Sequence, residues 1–234
     1  MKANQVLSAG APVSCAQLSI VRFSYVDFAG RSHPDGEIMV MAAVAHHVQT
    51  IFDTLYQRRF PIAKARLIDD YRGDDTASMH DNNTSAFNHR AITGGGAPSL
   101  HAYGLAIDLN PVQNPFIQFN GRGQASYSPA AGKAHGRRQM AGPGKPASPG
   151  MAEEVVQLFA ANGFLVWGGY WNSPIDYQHF QVSRKIAERM ASLPAGAARK
   201  FFTGYVDNYR TCLRKNSAEK ASTARKTCTD AVNP

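Results

Sequence analysis

Short apolar segments are the feature that most limits how this sequence can fold. The longest uncharged apolar run covers residues 38–45 and has eight residues, whereas a helix that crosses a membrane needs about 20. Hydrophobic residues make up 44% of the 234 positions and charged residues 18%, a composition typical of globular proteins rather than of disordered or fibrous ones. We therefore expect a globular fold built from short elements, with no membrane span.

Predicted strands and helices alternate irregularly along the chain. Residues 18–28 and 38–41 have the β-branched and aromatic residues of strands, and residues 29–36 are expected to form the turn between them. Further strands are predicted at 65–68, 105–109, 164–167 and 177–182, helices at 42–59, 151–161, 183–190 and 195–214, and irregular structure at 76–98. This order favours an α+β fold over a doubly wound parallel sheet.

The net charge of +8 is concentrated in two segments. Residues 121–152 carry five cations and no acid, and residues 210–226 carry six cations against Glu219 alone. Each segment is thus +5, and the rest of the chain carries a net charge of −2. A basic excess suggests an anionic partner such as nucleic acid, anionic lipid or an acidic cell-wall polymer. Motifs that read bases are absent, so nucleic acid is not the expected partner.

The domain organisation follows from the same segments. Residues 121–150 contain seven Gly and four Pro, which predicts a long basic loop without secondary structure. Such a loop is usually a lid, a binding loop or a disordered insertion. We expect a main domain over residues 1–193 that includes this loop, and a basic helical extension over residues 194–234.

Cysteine usage and the N-terminus bear on the compartment. Cys212 and Cys228 can close a 17-residue loop by a disulfide in an oxidising compartment, which leaves Cys15 without a partner. The N-terminal residues lack the apolar stretch of a secretory signal. We expect either that the numbering starts after a removed signal or that the protein is not exported by that route.

Three side chains that commonly bind metal ions are candidates for a site: His101, Asp108 and His179. Two imidazoles and one carboxylate suit zinc, and three protein ligands leave the fourth tetrahedral position open for water, as a hydrolytic zinc requires. Residues 101 and 108 would point to opposite faces of a straight strand, so we expect a bend at Gly104.

Asp176 precedes His179 by three residues, and a turn there would place a non-ligand carboxylate beside the metal. Such a carboxylate can take a proton from an attacking water. Taken one at a time, such residues are more often polar side chains satisfied by hydrogen bonds than metal ligands. The complete ten-residue pattern over residues 99–108, together with Asp-x-x-His-Phe over residues 176–180, favours a catalytic metal site.

The pattern Ser-x-His-x-x-Gly-x-Ala-x-Asp, followed by Trp-Gly-Gly-x-Trp and Asp-x-x-His-Phe, resembles the VanY-like zinc peptidases. These are D-alanyl-D-alanine carboxypeptidases and L-alanyl-D-glutamate endopeptidases that cut peptidoglycan stem peptides. The resemblance extends from about residue 18 to residue 181. It implies a fold of the Hedgehog/DD-peptidase type, in which helices flank a small antiparallel sheet and zinc lies at the sheet edge.

The resemblance also implies roles for individual residues. The zinc ligands would be His101, Asp108 and His179, and the general base would be Asp176. The D,D-carboxypeptidases often have Glu at the base position and a second His after the last ligand. This chain has Asp176 and Phe180 there, which resembles the L-alanyl-D-glutamate branch, and the scissile bond stays open.

Two arginines compete for the role of stabilising the developing oxyanion. Family members commonly use an Arg in a Tyr-Arg turn, and Arg72 is the match, with Arg90 as its rival. A salt bridge with the neighbouring Asp residues explains Arg72 equally well. Ser99 and Tyr103 either shape the site or form only local hydrogen bonds, and a metal role for His89 is disfavoured.

The resemblance, together with the candidate metal ligands, implies a zinc-dependent peptidase that hydrolyses a bond in peptidoglycan stem peptides outside the cytoplasm. Its catalytic domain would cover residues 1–193, with Zn²⁺ as cofactor. We expect a monomer, and an inhibitor or immunity protein is a compatible partner. The alternative is a non-catalytic, zinc-bearing wall-binding module. Retention of Asp176 argues against that alternative, because binding alone needs no base.

Overall fold

In the computed structural model, which describes residues 6–92, 95–138 and 148–233, helices alternate with short strands. The α-helices are α1 (Ala45–Gln57), α2 (Asp75–His80), α3 (Val156–Ala161), α4 (Arg184–Ala191), α5 (Ala195–Lys215) and α6 (Ala221–Val232). The strands are β1 (Leu18–Val26), β2 (Ser32–Met41), β3 (Lys64–Ala65), β4 (Asn83–Thr84), β5 (Ala106–Asp108), β6 (Phe116–Phe119), β7 (Ala125–Ser128), β8 (Val166–Trp167), β9 (Ile175–Asp176) and β10 (His179–Gln181). Short 3₁₀ helices connect several of them.

The described strands form small sheets of two or three strands each. Three sheets are antiparallel: the β1–β2 hairpin, the sheet β5–β10–β8 and the sheet β7–β6–β9. Strands β3 and β4 pair in parallel. The mixture of helices and small antiparallel sheets confirms the α+β class expected from the irregular order of elements.

The first hairpin is longer than the sequence predicts, because the turn is tighter. The predicted turn over residues 29–36 is wrong: β2 begins at Ser32 and β1 ends at Val26. The Asp27 carboxylate makes this possible, since it accepts hydrogen bonds from the backbone N–H groups of Ala29 and Arg31. One side chain thereby closes the turn within a few residues.

Two segments expected to be irregular contain ordered elements. Most of α2 and all of β4 lie within residues 76–98. Helix α2 begins after Asp74, whose side chain accepts a hydrogen bond from Ala77 N at 3.0 Å as an N-cap. Within the Gly- and Pro-rich segment 121–150, β7 pairs with β6 and a 3₁₀ helix follows. The prediction of a loop without structure is therefore wrong for residues 125–135, and residues 139–147 lie outside the described residues.

The C-terminal helices share the core of the rest of the chain. Phe202, Val206 and Tyr209 of α5 are fully buried and belong to the same apolar cluster as α1 and β5. Arg210 donates hydrogen bonds to Ala161 O at 2.7 Å and to Asn162 Oδ1 at 3.1 Å, at the end of α3. Helix α6 lies within the helical extension expected over residues 194–234, and the disulfide Cys212–Cys228 ties it to α5. The predicted pairing is thus confirmed.

Among the described residues, no helix is both long and apolar enough to cross a membrane.

Removing the disulfide should lower stability through the unfolded state. The two cysteines are 16 positions apart, and a closed loop of this size stabilises by about 3 kcal/mol. The double variant C212A/C228A should therefore lose about 3 kcal/mol of unfolding free energy in urea titrations. The variant C15A, which removes an exposed free thiol, serves as the control and should match the wild type. Equal urea midpoints for the double variant and the wild type would contradict the assignment.

Candidate metal centre

Three neighbouring elements bring the predicted metal-binding side chains together. His101 lies on the 3₁₀ helix Leu100–Tyr103, Asp108 ends β5, and His179 begins β10. Strand β10 runs antiparallel to β5 with His179 directly opposite Asp108. Residues paired in this way project from the same face of a sheet, so the imidazole and the carboxylate lie side by side.

Gly104 turns the chain so that His101 joins this pair. It ends the 3₁₀ helix with φ +65°, a left-handed conformation that glycine adopts readily. A Cβ atom at this position would lie only 2.5 Å from Met41 N, so a larger residue would collide with the end of β2. The bend expected at Gly104 is confirmed.

The spacing of the donor atoms fits a tetrahedral metal ion. His101 Nε2 lies 3.2 Å from His179 Nδ1 and 3.2 Å from Asp108 Oδ2, and His179 Nδ1 lies 2.9 Å from Asp108 Oδ1. Zinc bonds to nitrogen and oxygen of roughly 2.0–2.1 Å would separate tetrahedral ligand atoms by about 3.3 Å. His101, Asp108 and His179 are only 2%, 3% and 7% exposed. The cluster can therefore hold a zinc ion and keep one position open.

The outward nitrogen of each imidazole has its own acceptor. His101 Nδ1 lies 2.5 Å from the backbone oxygen of Ala86, and His179 Nε2 lies 2.7 Å from Gln181 Oε1. A nitrogen that donates to such an acceptor carries the ring proton, which leaves the opposite nitrogen free as a ligand. Both rings thus present a lone pair to the centre of the cluster.

The electrostatics of the cluster favour a bound cation. Burial raises the pKa of Asp108, but His101 and His179 outweigh burial and hold this pKa well below its usual range. Burial lowers the pKa of His179, but the Asp108 carboxylate outweighs burial and raises this pKa to about 9. The buried carboxylate therefore requires a positive charge beside it, which a proton or a metal ion can supply.

Asp176 lies next to the cluster, on a strand and not in the expected turn. It ends β9, which pairs with β6, and it is 9% exposed. Gly168 permits this position, because a Cβ atom on Gly168 would lie 2.5 Å from Asp176 O and 2.8 Å from its Cβ. The first Gly of the Trp-Gly-Gly motif is thus required for the packing of β9.

The Asp176 carboxylate is poised as an acceptor. Its buried Oδ1 has no hydrogen-bond partner among the described residues. Burial raises the pKa of Asp176 and the charge of Asp108 adds to the increase, against the opposing effect of His179. A raised pKa makes a carboxylate a stronger base.

A cleft of about 650 Å³ opens onto the cluster. Its walls include His101, Asp108, His179, Asp176, Arg90 and Trp171. Arg90 forms an ion pair with Asp75 at 2.9 Å, and its buried Nε has no partner among the described residues. Arg72 is exposed at the end of another 3₁₀ helix and does not line this cleft. The fold therefore brings Arg90, and not Arg72, to the site.

The other candidates take different places. The Ser99 hydroxyl lines the cleft and accepts a hydrogen bond from His101 N at 3.3 Å, while Tyr103 is buried in the core. His89 pairs with Ser8 Oγ at 2.8 Å and is not part of the His-Asp-His cluster. The Trp171 ring lies 5.6 Å from the His179 ring.

Sequence reasoning missed two residues that support the site. Gln181 contacts His179, and its position two residues later on the same strand was the available signal. Arg138 of the basic segment pairs with Glu153, donates to Gln113 O at 2.6 Å and lies 4.2 Å from the Tyr177 ring. No sequence spacing indicated that this cation holds the segment beside β9.

Residues 93–182 match the family model described as D-alanyl-D-alanine carboxypeptidase. This range includes the three clustered residues and Asp176, and it confirms the resemblance to the VanY-like zinc peptidases over these residues. No curated protein and no solved structure gives a significant match to the chain. The match and the His-Asp-His cluster together support a metal-dependent peptidase that acts on peptidoglycan.

Loss of one ligand should abolish tight metal binding. Loss of a residue that only hydrogen-bonds to a metal ligand weakens metal binding by up to roughly 100-fold. The variants H101A and H179A lose a ligand itself, so their zinc affinity should fall by more than this. Zinc content after dialysis and competition with a chromophoric chelator measure this difference. The matched control is H80A, which removes an exposed histidine outside the cluster and should bind zinc like the wild type. Zinc binding that survives in H179A would rule out this ligand set.

Proposed function

We propose that the protein is a zinc-dependent peptidase that hydrolyses a peptide bond in peptidoglycan stem peptides. The observation that carries this proposal is the convergence, at the wall of one cleft, of a buried His-Asp-His cluster and a separate buried carboxylate. The family match over residues 93–182 supports the same activity. A zinc ion held by His101, Asp108 and His179 would act as a Lewis acid and lower the pKa of bound water to about 7.

Asp176 serves as the general base. Its Oδ1 has no hydrogen-bond partner among the described residues, and Asp176 lines a cleft that a substrate can enter. The raised pKa of its carboxyl favours proton uptake from the attacking water. The same carboxyl then transfers the proton to the amine that leaves when the peptide bond breaks. One residue thereby handles the proton in both halves of the reaction.

Arg90 stabilises the negative charge that develops on the carbonyl oxygen. The Asp75 carboxylate holds the guanidinium at 2.9 Å, and both residues line the cleft. A fixed cation in a partly buried site stabilises a developing charge because it needs no reorganisation during the reaction.

Two bonds in the stem peptide are the candidates for cleavage. The family described by the matching model removes D-alanine from D-alanyl-D-alanine, whereas Asp176 and Phe180 resemble the L-alanyl-D-glutamate branch. Phe180 points away from the site and is fully buried in the core, stacked 3.9 Å from the Phe159 ring. It therefore takes no part in reading the substrate.

The proposal also covers the site of action and the roles of the two parts of the chain. Peptidoglycan lies outside the cytoplasmic membrane, so the site of action is extracytoplasmic. We propose that residues 1–193 form the catalytic part of a Hedgehog/DD-peptidase-like monomer, with the sheet β5–β10–β8 at the metal site. Helix α5 of the basic extension packs into the same apolar core. Exposed cations of residues 194–234, such as Lys215 and Lys220, then provide adhesion to the acidic wall polymer.

Removing the base should abolish cleavage while zinc stays bound. The variant D176A should lose at least about 100-fold in rate, the usual contribution of a general base, and it should retain the zinc content of the wild type. Digestion of defined muropeptides with and without a chelator, followed by mass spectrometry, measures the rate and identifies the bond. Loss of a terminal D-alanine indicates a carboxypeptidase, and cleavage between L-alanine and D-glutamate indicates an endopeptidase.

The control for this experiment is D70A, which removes an exposed acid away from the cleft. Full activity in D176A would refute its role as the base. Binding of purified sacculi without release of any fragment by the wild-type, zinc-loaded protein would instead favour the wall-binding module.

The two arginines should respond differently to substitution. The variant R90A should lose about 100-fold in kcat/KM, as expected for loss of one group that stabilises an oxyanion, with the larger part of the loss in kcat. R72A should stay within a few-fold of the wild type, because Arg72 does not line the cleft. Steady-state kinetics on the muropeptide cleaved by the wild type makes the comparison. A larger loss in R72A than in R90A would reverse the assignment.

A further inference from the structure

Gln181 is a polar residue at the metal cluster to which the reaction assigns no role. It follows His179 by two positions on β10, so both side chains project from the same face of the strand. Its Oε1 accepts a hydrogen bond from His179 Nε2 at 2.7 Å, and its side chain lines the cleft. We propose that Gln181 is a positioning residue that holds the His179 ring with Nδ1 directed at the metal. This inference rests on the metal site of the proposed function.

The two histidines of the cluster are oriented by different means. The acceptor for His101 is the backbone oxygen of Ala86, which the fold fixes and which no substitution of a side chain removes. The acceptor for His179 is the side-chain amide of Gln181. Sequence variation can therefore alter the orientation of one ring and not of the other.

The Gln181 acceptor determines which nitrogen of the His179 ring faces the cluster. The terminal torsion of histidine is broad and roughly two-fold, so rotation would exchange Nδ1 with Nε2 at the centre of the cluster. Asp108 contacts the same nitrogen that would bind the metal and does not anchor the opposite one. Without Gln181, the proton on Nε2 would lie in a ring that is almost fully buried and would lack a partner.

The neutral charge of the amide suits this place. Asp108 already contributes one carboxylate to the cluster, and Asp176 lies beside it on the wall of the cleft. A Gln at position 181 orients the ring without adding a third negative charge. A Glu at the same position would keep an acceptor oxygen for His179 Nε2 but add a negative charge. Q181E therefore separates the orientation of the ring from the charge of the side chain.

The experiment compares zinc binding by the full chain and by the variants Q181L and Q181E. Competition with a chromophoric chelator gives the affinity, and transfer of zinc into excess chelator gives the release rate. Q181L should bind zinc about 10- to 100-fold more weakly, the range found when an outer partner of a ligating histidine is lost, and should release it faster. Q181E should restore binding to within a few-fold of the wild type. The matched control is Q118L, which removes another Gln that lines the cleft.

If Gln181 only stabilised the fold, its substitution would change the unfolding temperature and not the zinc affinity. The metal-free Q181L variant loses the partner of one buried N–H group, so it should unfold at a slightly lower temperature than the metal-free wild type and should also bind zinc more weakly. The visible spectrum of the cobalt-loaded variant should change, since one nitrogen donor is displaced or reoriented. A lower unfolding temperature with unchanged zinc affinity would overturn the inference, as would equal weakening in Q118L.

Failure of the proposed function would look different again. If the wild type binds zinc and Q181L binds it weakly, but no muropeptide is cleaved by either protein, the positioning role stands and the peptidase assignment falls. If the wild type cleaves muropeptides and Q181L binds and releases zinc like the wild type, only the positioning role falls.

Discussion

The pairing of β10 with β5 is the interaction on which the site depends. Alternation along β10 sends His179 and Gln181 into the cleft and Phe180 into the core, while the antiparallel register places His179 opposite Asp108. A slip of one residue would bury the imidazole and expose the phenyl ring. Stacking of Phe180 on Phe159 at 3.9 Å therefore fixes the register of the strand that carries a ligand. Packing of Phe180 in the apolar core thus also determines that His179 faces the metal cluster.

Two further contacts, at Gly168 and at Arg138, shape the cleft wall beside the β5–β10 pair. Gly168 lets β9 approach closely enough to place Asp176 beside the cluster, and Arg138 holds the basic segment against the neighbouring Tyr177. The result is a cleft wall in which Asp176 Oδ1, Gln178 Oε1 and Arg90 Nε are buried without partners among the described residues. Buried polar atoms without partners reduce stability. Their concentration around one cleft is typical of a site that is completed by a ligand.

Sequence reasoning predicted the part of the site that is encoded locally. The spacing of His101, Gly104 and Asp108 predicted a bend, since their relation depends on one turn. Other features depend on contacts between side chains that no periodic pattern relates, such as the ion pair of Arg138 with Glu153. The composition of the Gly- and Pro-rich segment predicted a loop without secondary structure, which is wrong for residues 125–135. Pairing with β6 forms the strand β7 from residues whose own preference for a strand is weak.

The most direct test of this account is a crystal structure of the zinc-loaded protein with anomalous data collected on both sides of the zinc absorption edge. The account predicts an anomalous peak at roughly 2.0–2.2 Å from His101 Nε2, from an Asp108 oxygen and from His179 Nδ1, the bond lengths zinc makes to these donors. The fourth position should open toward the cleft and Asp176. A peak coordinated by other residues, or zinc bound through His179 Nε2 after rotation of the ring, would contradict the account.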